Sequence, residues 1–346
     1  SPTSTPTRTA PSAAGWTPRT PAPAQSPPAK GAPVALPGGL GTAYEDPADA
    51  VRLAYLRAGQ NRAYARDPRT GAFADIGPHT VVAEPSPDGR WLAWFNTLYA
   101  ASSDHLALSF HDRLTGERFS VPVLRPPYQS LTPAWSRDGT KVLLSAQRYE
   151  RFGDKDVPVT VGYVIVDVAA RTARFVATGD ALEVRQAARA AAGKLDPSRY
   201  YSEYRWAPDG RTVAARFLTA EWGHGVRFRD AESGRVTRMM HWVGQAQGLT
   251  DWFSPSGRRF VTSGCAAYLA ACVWRTSDGS REATVRVPTG ATTLGWYDDR
   301  HLIHLVPDGE SRRRVVVVDL SGKRVRTLAE LRVPDEAVVD LRYGPG

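Results

Sequence analysis

Apolar residues in this chain come in short runs, alternating or continuous, and clusters of Pro, Asp, Gly and Ser cut each run off. Short runs rich in Val, Leu, Trp and Phe are strand-like, and the punctuating residues are turn formers. One order of residues recurs. It stands in "EPSPDGRWLAWF" from Glu84, "AWSRDGTKVLLSA" from Ala134, "RWAPDGRTVAARF" from Arg205, "WFSPSGRRFVTSG" from Trp252 and "GWYDDRHLIHLV" from Gly295. Pro presets φ, Asp bonds its own backbone and Gly accepts positive φ, so each copy predicts strand, tight turn, strand. The aligned positions Gly89, Gly139, Gly210, Gly257 and Arg300 are 50, 71, 47 and 43 residues apart. A period of about 45 suits one four-stranded propeller blade. The aromatic before the turn (Trp135, Trp206, Phe253, Trp296) is expected to pack between neighbouring blades.

A second hairpin follows each copy and completes four strands, as in "LALSFHDRLTGERFSVPV" (Leu106 to Val123) and "RVVVVDLSGKRVRTLA" (Arg314 to Ala329). An earlier unit, "AVRLAYLR" (Ala50 to Arg57) and "NRAYARDPRTGAFADI" (Asn61 to Ile76), lacks the phrase. Its missing first strand is supplied from the other end by "VVDLRYGPG" (Val338 to Gly346), with Tyr343 in the Trp column. The expected fold is all-β: a six-bladed β-propeller of four-stranded blades over residues 44–346, closed by the C-terminal strand. Such closure leaves no long open sheet edge. The 71-residue gap holds "GDALEVRQAARAAAGKL" from Gly179, which predicts one short inserted helix. Asp180 fits an N-cap, Glu183 a capping box and Gly193 a stop.

"AWSRDGTKVLLSA" and "RWAPDGRTVAAR" resemble the Trp-Ser-Pro-Asp-Gly repeat of the TolB-type (WD-repeat-like) β-propellers, over roughly residues 44–346. The resemblance implies an extracytoplasmic protein-binding scaffold. TolB itself carries a small α/β domain ahead of its propeller, where this chain has a Pro-rich stretch.

That stretch, residues 1–43, is expected to be a disordered Pro/Ser/Thr/Ala-rich tether. Its first 40 residues hold ten of the 27 prolines and no Asp or Glu. Such a composition cannot bury enough apolar surface to offset its ordering entropy. The sequence opens on Ser1, so a removed signal peptide, a lipid-anchored Cys or a membrane helix is expected upstream. Cys265 and Cys272 flank "AAYLAA" between two β-like runs, where a disulfide can close across the loop mouth. That bond suits an oxidising compartment and closes a short loop, contributing about 2 kcal/mol or less. The expected location is extracytoplasmic, secreted or anchored to the outer side of the cell membrane.

Net charge is +9, but 39 of the 44 basic residues are Arg and they are scattered. Without a basic run, zinc spacing or RNA-binding aromatic motif, the charge argues against nucleic acid as partner. No Gly-x-Ser-x-Gly elbow, phosphate loop or dinucleotide fingerprint is present, and no cofactor is expected. His301 and His304, three apart in a predicted strand, point to opposite faces and make no metal pair. "GDKD" (Gly153 to Asp156) reads as a solvated acidic loop rather than a Ca²⁺ site. No metal site and no catalytic residue is assigned.

In a propeller, the loops joining strands two and three share one face with the inter-blade connections. These loops carry the aromatics and charge, including "QRYERFGDKD" (Gln147 to Asp156), "SRYYSEY" (Ser198 to Tyr204), "TAEWGHG" (Thr219 to Gly225) and "HWVGQAQG" (His241 to Gly248). Tyr, Trp and Arg dominate binding hot spots. Arg148, Tyr149, Tyr201, Trp222, His224 and Trp242 are the candidate contacts. The expected function is a non-enzymatic, monomeric scaffold that binds a protein or peptide at the channel mouth, meeting a membrane only through an upstream anchor. The alternatives are a carbohydrate lyase or glycosidase using Glu203, Glu221, His224 and His241, and the sensor ectodomain of a membrane protein.

Overall fold

The computed structural model describes residues 26–58, 62–77, 83–95, 106–130, 133–179, 181–193, 203–219, 223–244, 251–265, 269–333 and 339–346. Its strands form six antiparallel sheets arranged as the blades of a propeller. Blade two shows the plan, running outward through Glu84–Pro85, Trp91–Phe95, Leu106–Asp112 and Arg118–Leu124. Blade four repeats it in Tyr204–Trp206, Thr212–Leu218, His224–Asp230 and Val236–Met240. In blade five the innermost strand is reduced to one bridge, Phe253 to Phe260.

Closure follows the expected route. Val339–Pro345 is the innermost strand of blade one and pairs antiparallel with Val51–Ala58, Leu341 opposite Leu56 and Tyr343 opposite Leu53. The aromatics before the turns wedge against the preceding blade. Trp135 meets Phe110 of blade two edge-on at 6.0 Å, and its Nε1–H donates to Glu84 O at 2.9 Å. Trp206 packs with Leu143, Tyr163 and Ile165 of blade three. Phe253 meets Phe228 of blade four at 6.2 Å, and the Trp296 Nε1–H donates to Trp252 O at 3.0 Å. A ring this size, set edge-on in a seam, buries apolar area on both sides and has one N–H to place.

Two expectations are corrected. The propeller takes in residues assigned to the tether: Ala32–Leu36 and Gly41–Glu45 form a hairpin on the outer edge of blade six, making it six-stranded. Within the Pro-rich composition, Val34, Leu36, Leu40 and Ala43 pack into the apolar cluster of Leu328 and Leu331. Pro33 is tolerated because its strand is the edge. The first part of the tether, residues 1–25, lies outside the described residues. Second, "QRYERFGDKD" is no loop. Lys141–Phe152 and Lys155–Asp167 continue as one long hairpin, turning at Gly153 (φ 65°). Val157 and Val159 support that extension by packing on Ala187, Ala190 and Leu218.

The expected helix forms over Ala181–Ala191, and Glu183 also ties it to blade three. Its Oε1 accepts the Thr160 N–H of blade three at 2.6 Å, and the Gln186 Nε2 donates to Thr219 O of blade four at 3.1 Å. The helix is therefore bonded to two blades. Asp180 lies outside the described residues; Gly193 ends the helix at φ 72°, its N–H donating to Ala190 O at 2.9 Å.

Candidate functional site: the central channel and its two faces

The innermost strands of all six blades enclose a cavity of about 570 Å³ on the propeller axis. The repeated phrase builds one end of it. In the turns of blades two, three and four the Gly stands at positive φ (Gly89 74°, Gly139 69°, Gly210 62°), and the Asp side chain accepts a backbone N–H two residues on, as Asp88 does from Arg90 at 2.9 Å. That geometry presents the preceding Pro to the axis, so Pro87, Pro208, Pro255 and Pro345 line the cavity. This end, with the turns between strands one and two and between three and four, is called the lower face here; the opposite end is the upper face.

Blade three breaks the pattern with Arg137 at the Pro position, where blade six has Asp298 and blades two, four and five keep Pro. The Arg137 guanidinium crosses the lower mouth to blade five. It donates to Ser254 O at 3.2 Å, to Pro255 O, and to Asp251 Oδ2 at 2.9 Å. The departure from Pro in "SRDG" was the only sequence signal for this crossing. Blade five lacks the turn Asp, and blade six supplies one: Asp299 Oδ1 accepts the Ser256 N–H at 3.0 Å and its hydroxyl at 2.8 Å.

Charges on the channel wall are paired. Arg342 of the closing strand reaches Glu84 of blade two, which is buried, and lies 3.4 Å from Asp340; Arg57 stands 3.8 Å from the same Asp340. Burial raises the Asp340 carboxyl above the ordinary range and pulls the Arg342 guanidinium down to about 10. Both shifts express one cause: two charges taken from water into a wall that only partly repays the desolvation. Glu203 pairs with Arg205 at 2.6 Å. Among the described residues, no group of three or more His, Cys, Asp or Glu could hold a metal ion.

The candidate contacts distribute as follows. Arg148 and Tyr149 stand on the projecting hairpin of blade three. Arg148 pairs with Glu150 at 2.5 Å, and Tyr149 is 50% exposed. His224 opens the third strand of blade four. Trp242, in the connection to blade five, is 59% exposed and holds a left-handed φ of 61°. Its ring lies against Gly223, where a Cβ would overlap it. Tyr201 and Trp222 lie outside the described residues. Of the enzymatic candidates, Glu203 is paired, the His241 ring meets Phe217 edge-on at 5.3 Å, and Glu221 lies outside the described residues. His301 binds Asp298 at 2.8 Å while His304 is buried against Thr293, so the two rings have separate partners. Cys265 and Cys272 are disulfide-bonded, their Cα atoms 6.1 Å apart. No described helix is long and apolar enough to cross a membrane.

Six blades, the aromatic-turn repeat and closure by the C-terminal strand define a six-bladed β-propeller. No family model and no curated protein matches the chain. Among solved structures it is similar to TolB from Acinetobacter baumannii, at 14% identity and TM-score 0.49, covering 85% of this chain and 67% of that one. It is similar also to a putative TolB from Agrobacterium tumefaciens, at 16% identity and TM-score 0.44, covering 86% and 99%. Porphyromonas gingivalis dipeptidyl peptidase 4 is a further likeness, at 12% identity and TM-score 0.39, covering 77% of this chain and 48% of that chain. These likenesses concern the fold.

Proposed function

We propose that this chain is a non-enzymatic extracytoplasmic scaffold that binds a protein or peptide partner on its upper face, at the channel mouth. The observation that carries this reading is the asymmetry of the two ends. Arg137 is drawn across the lower mouth, while Trp242 and Tyr149 stand exposed among the upper connections. An aromatic ring held on Gly223 by a left-handed backbone loses little freedom on binding, the condition that favours hot spots. Arg148 adds a charge at the rim. The Cys265–Cys272 bond supports an oxidising compartment. The partner contacts are Arg148, Tyr149, Tyr201, Trp222, His224 and Trp242. The test is crosslinking capture with wild-type protein and with Arg148, Tyr149, His224 and Trp242 replaced by Ala. The expected result is loss of captured partners at an unchanged melting temperature. The same partners captured by a folded variant would remove the upper face from consideration.

The enzymatic alternative, a carbohydrate lyase or glycosidase, rests on Glu203, Glu221, His224 and His241. It predicts glycan turnover that Glu203→Gln abolishes; no turnover by the wild type across a glycan panel would end it.

A further inference from the structure

A second cavity, of about 780 Å³, opens on the lower face where the turns of blades five and six meet. Four guanidiniums line it, Arg258, Arg259, Arg275 and Arg300, with two carboxylates, Glu282 and Asp299. Both carboxylates are engaged. Glu282 accepts from Arg259 Nε and, at 2.9 Å, from Arg275 Nε, and these bonds hold it below the usual carboxylate range. Asp299 accepts from Ser256, as described above. Arg259 also donates to Asp299 O at 2.6 Å, and Arg275 pairs with Asp278, outside the wall, at 3.0 Å. Arg258 and Arg300 are exposed; Arg258 lies close enough to Asp299 to help lower its carboxyl. Within the same wall, Thr276 Oγ1 is buried with no hydrogen-bond partner. A buried hydroxyl left unsatisfied in a folded protein calls for an explanation.

We propose that this cavity binds a tetrahedral dianion, a phosphate group that is either free or carried as a monoester. Four guanidiniums face Glu282 and Asp299 in the wall and Asp278 just outside it, so positive charge is in excess at the cavity, as an anion requires. Guanidinium forks match phosphate oxygens in pairs, and Arg258 and Arg300 come from different blades, so they approach from two sides. Arg259 and Arg275, tied down by Glu282, hold the floor rather than swing out. The site faces away from the upper loops and is independent of the partner-binding reading.

The test uses the full chain, titrated by calorimetry with inorganic phosphate and with phenyl phosphate, against sodium chloride at matched ionic strength. Binding in the millimolar range is expected, weakening with salt as exposed charge pairs do. Arg258→Ala with Arg300→Ala should weaken it about tenfold or more, each deletion removing a charge-assisted hydrogen bond. Arg118→Ala, on blade two, should leave it unchanged. Tighter binding of phenyl phosphate identifies an ester as the ligand, and equal binding a free phosphate. Heat no greater than chloride gives, or equal affinity in the folded double variant, overturns the proposal.

Discussion

His304 is 1% exposed, its Nδ1 lies 3.0 Å from Thr293 Oγ1, and burial pushes its pKa down to about 4. The folded value lies below the ordinary 6.5, so between about pH 6.5 and 4 the unfolded chain binds more protons than the folded one. Stability therefore falls as pH falls through that window, by about 2 kcal/mol at pH 5. Urea unfolding at pH 7 and pH 5 should show a larger loss for the wild type than for His304→Gln; equal losses would contradict the assignment. Asp49 is the other decisive single residue. It accepts from Arg326 Nη2 at 2.6 Å and from the Tyr297 hydroxyl at 2.8 Å, while Arg326 also donates to Tyr44 O at 3.2 Å. The Arg326 side chain is wholly buried, so Asp49→Ala strands a charge and should cost about 3–5 kcal/mol by denaturant titration. Sequence reading separated His301 from His304 correctly, because strand periodicity is local. Asp49 gave no signal: its partners lie 248 and 277 residues away.

At the scale of elements, hairpins were legible and their lengths were not. Turn chemistry is written in adjacent residues, so the strand-turn-strand phrases appear where the text put them. The strands of "QRYERF" were hidden because their apolar partners are a helix and a neighbouring blade rather than each other. The N-terminal hairpin was hidden by composition: ten prolines in 40 residues outweighed four apolar positions. Its join to blade six is tight at Gly41, which has φ 132° and lies where a Cβ would overlap Glu330 O. Gly41→Ala should lower stability by more than about 1 kcal/mol in thermal unfolding. No change would mean the hairpin is detached from blade six in solution.

At the scale of the whole molecule, one strand decides whether the ring is closed. Val339–Pro345 brings Leu341 into the core and Arg342 to Glu84 across the seam between blades one and two. Deleting residues 339–346 uncovers Leu53 and Leu56 and leaves Glu84 buried without its cation, so the truncated chain should lose its cooperative calorimetric transition and bind a hydrophobic dye. A sharp transition in the truncated chain would show that closure is not needed. The sequence alone determined the repeat, the number of blades, the wedge aromatics, the disulfide and the strand that closes the ring. Each depends on residue order within about 45 positions, or on a repeat found incomplete at one end. Only the tertiary structure decided that Arg137 crosses the channel, that Asp299 serves the turn of another blade, and that four arginines meet at one seam. Such groupings arise when the ring sets distant turns side by side, and nothing in the local order of residues encodes that distance.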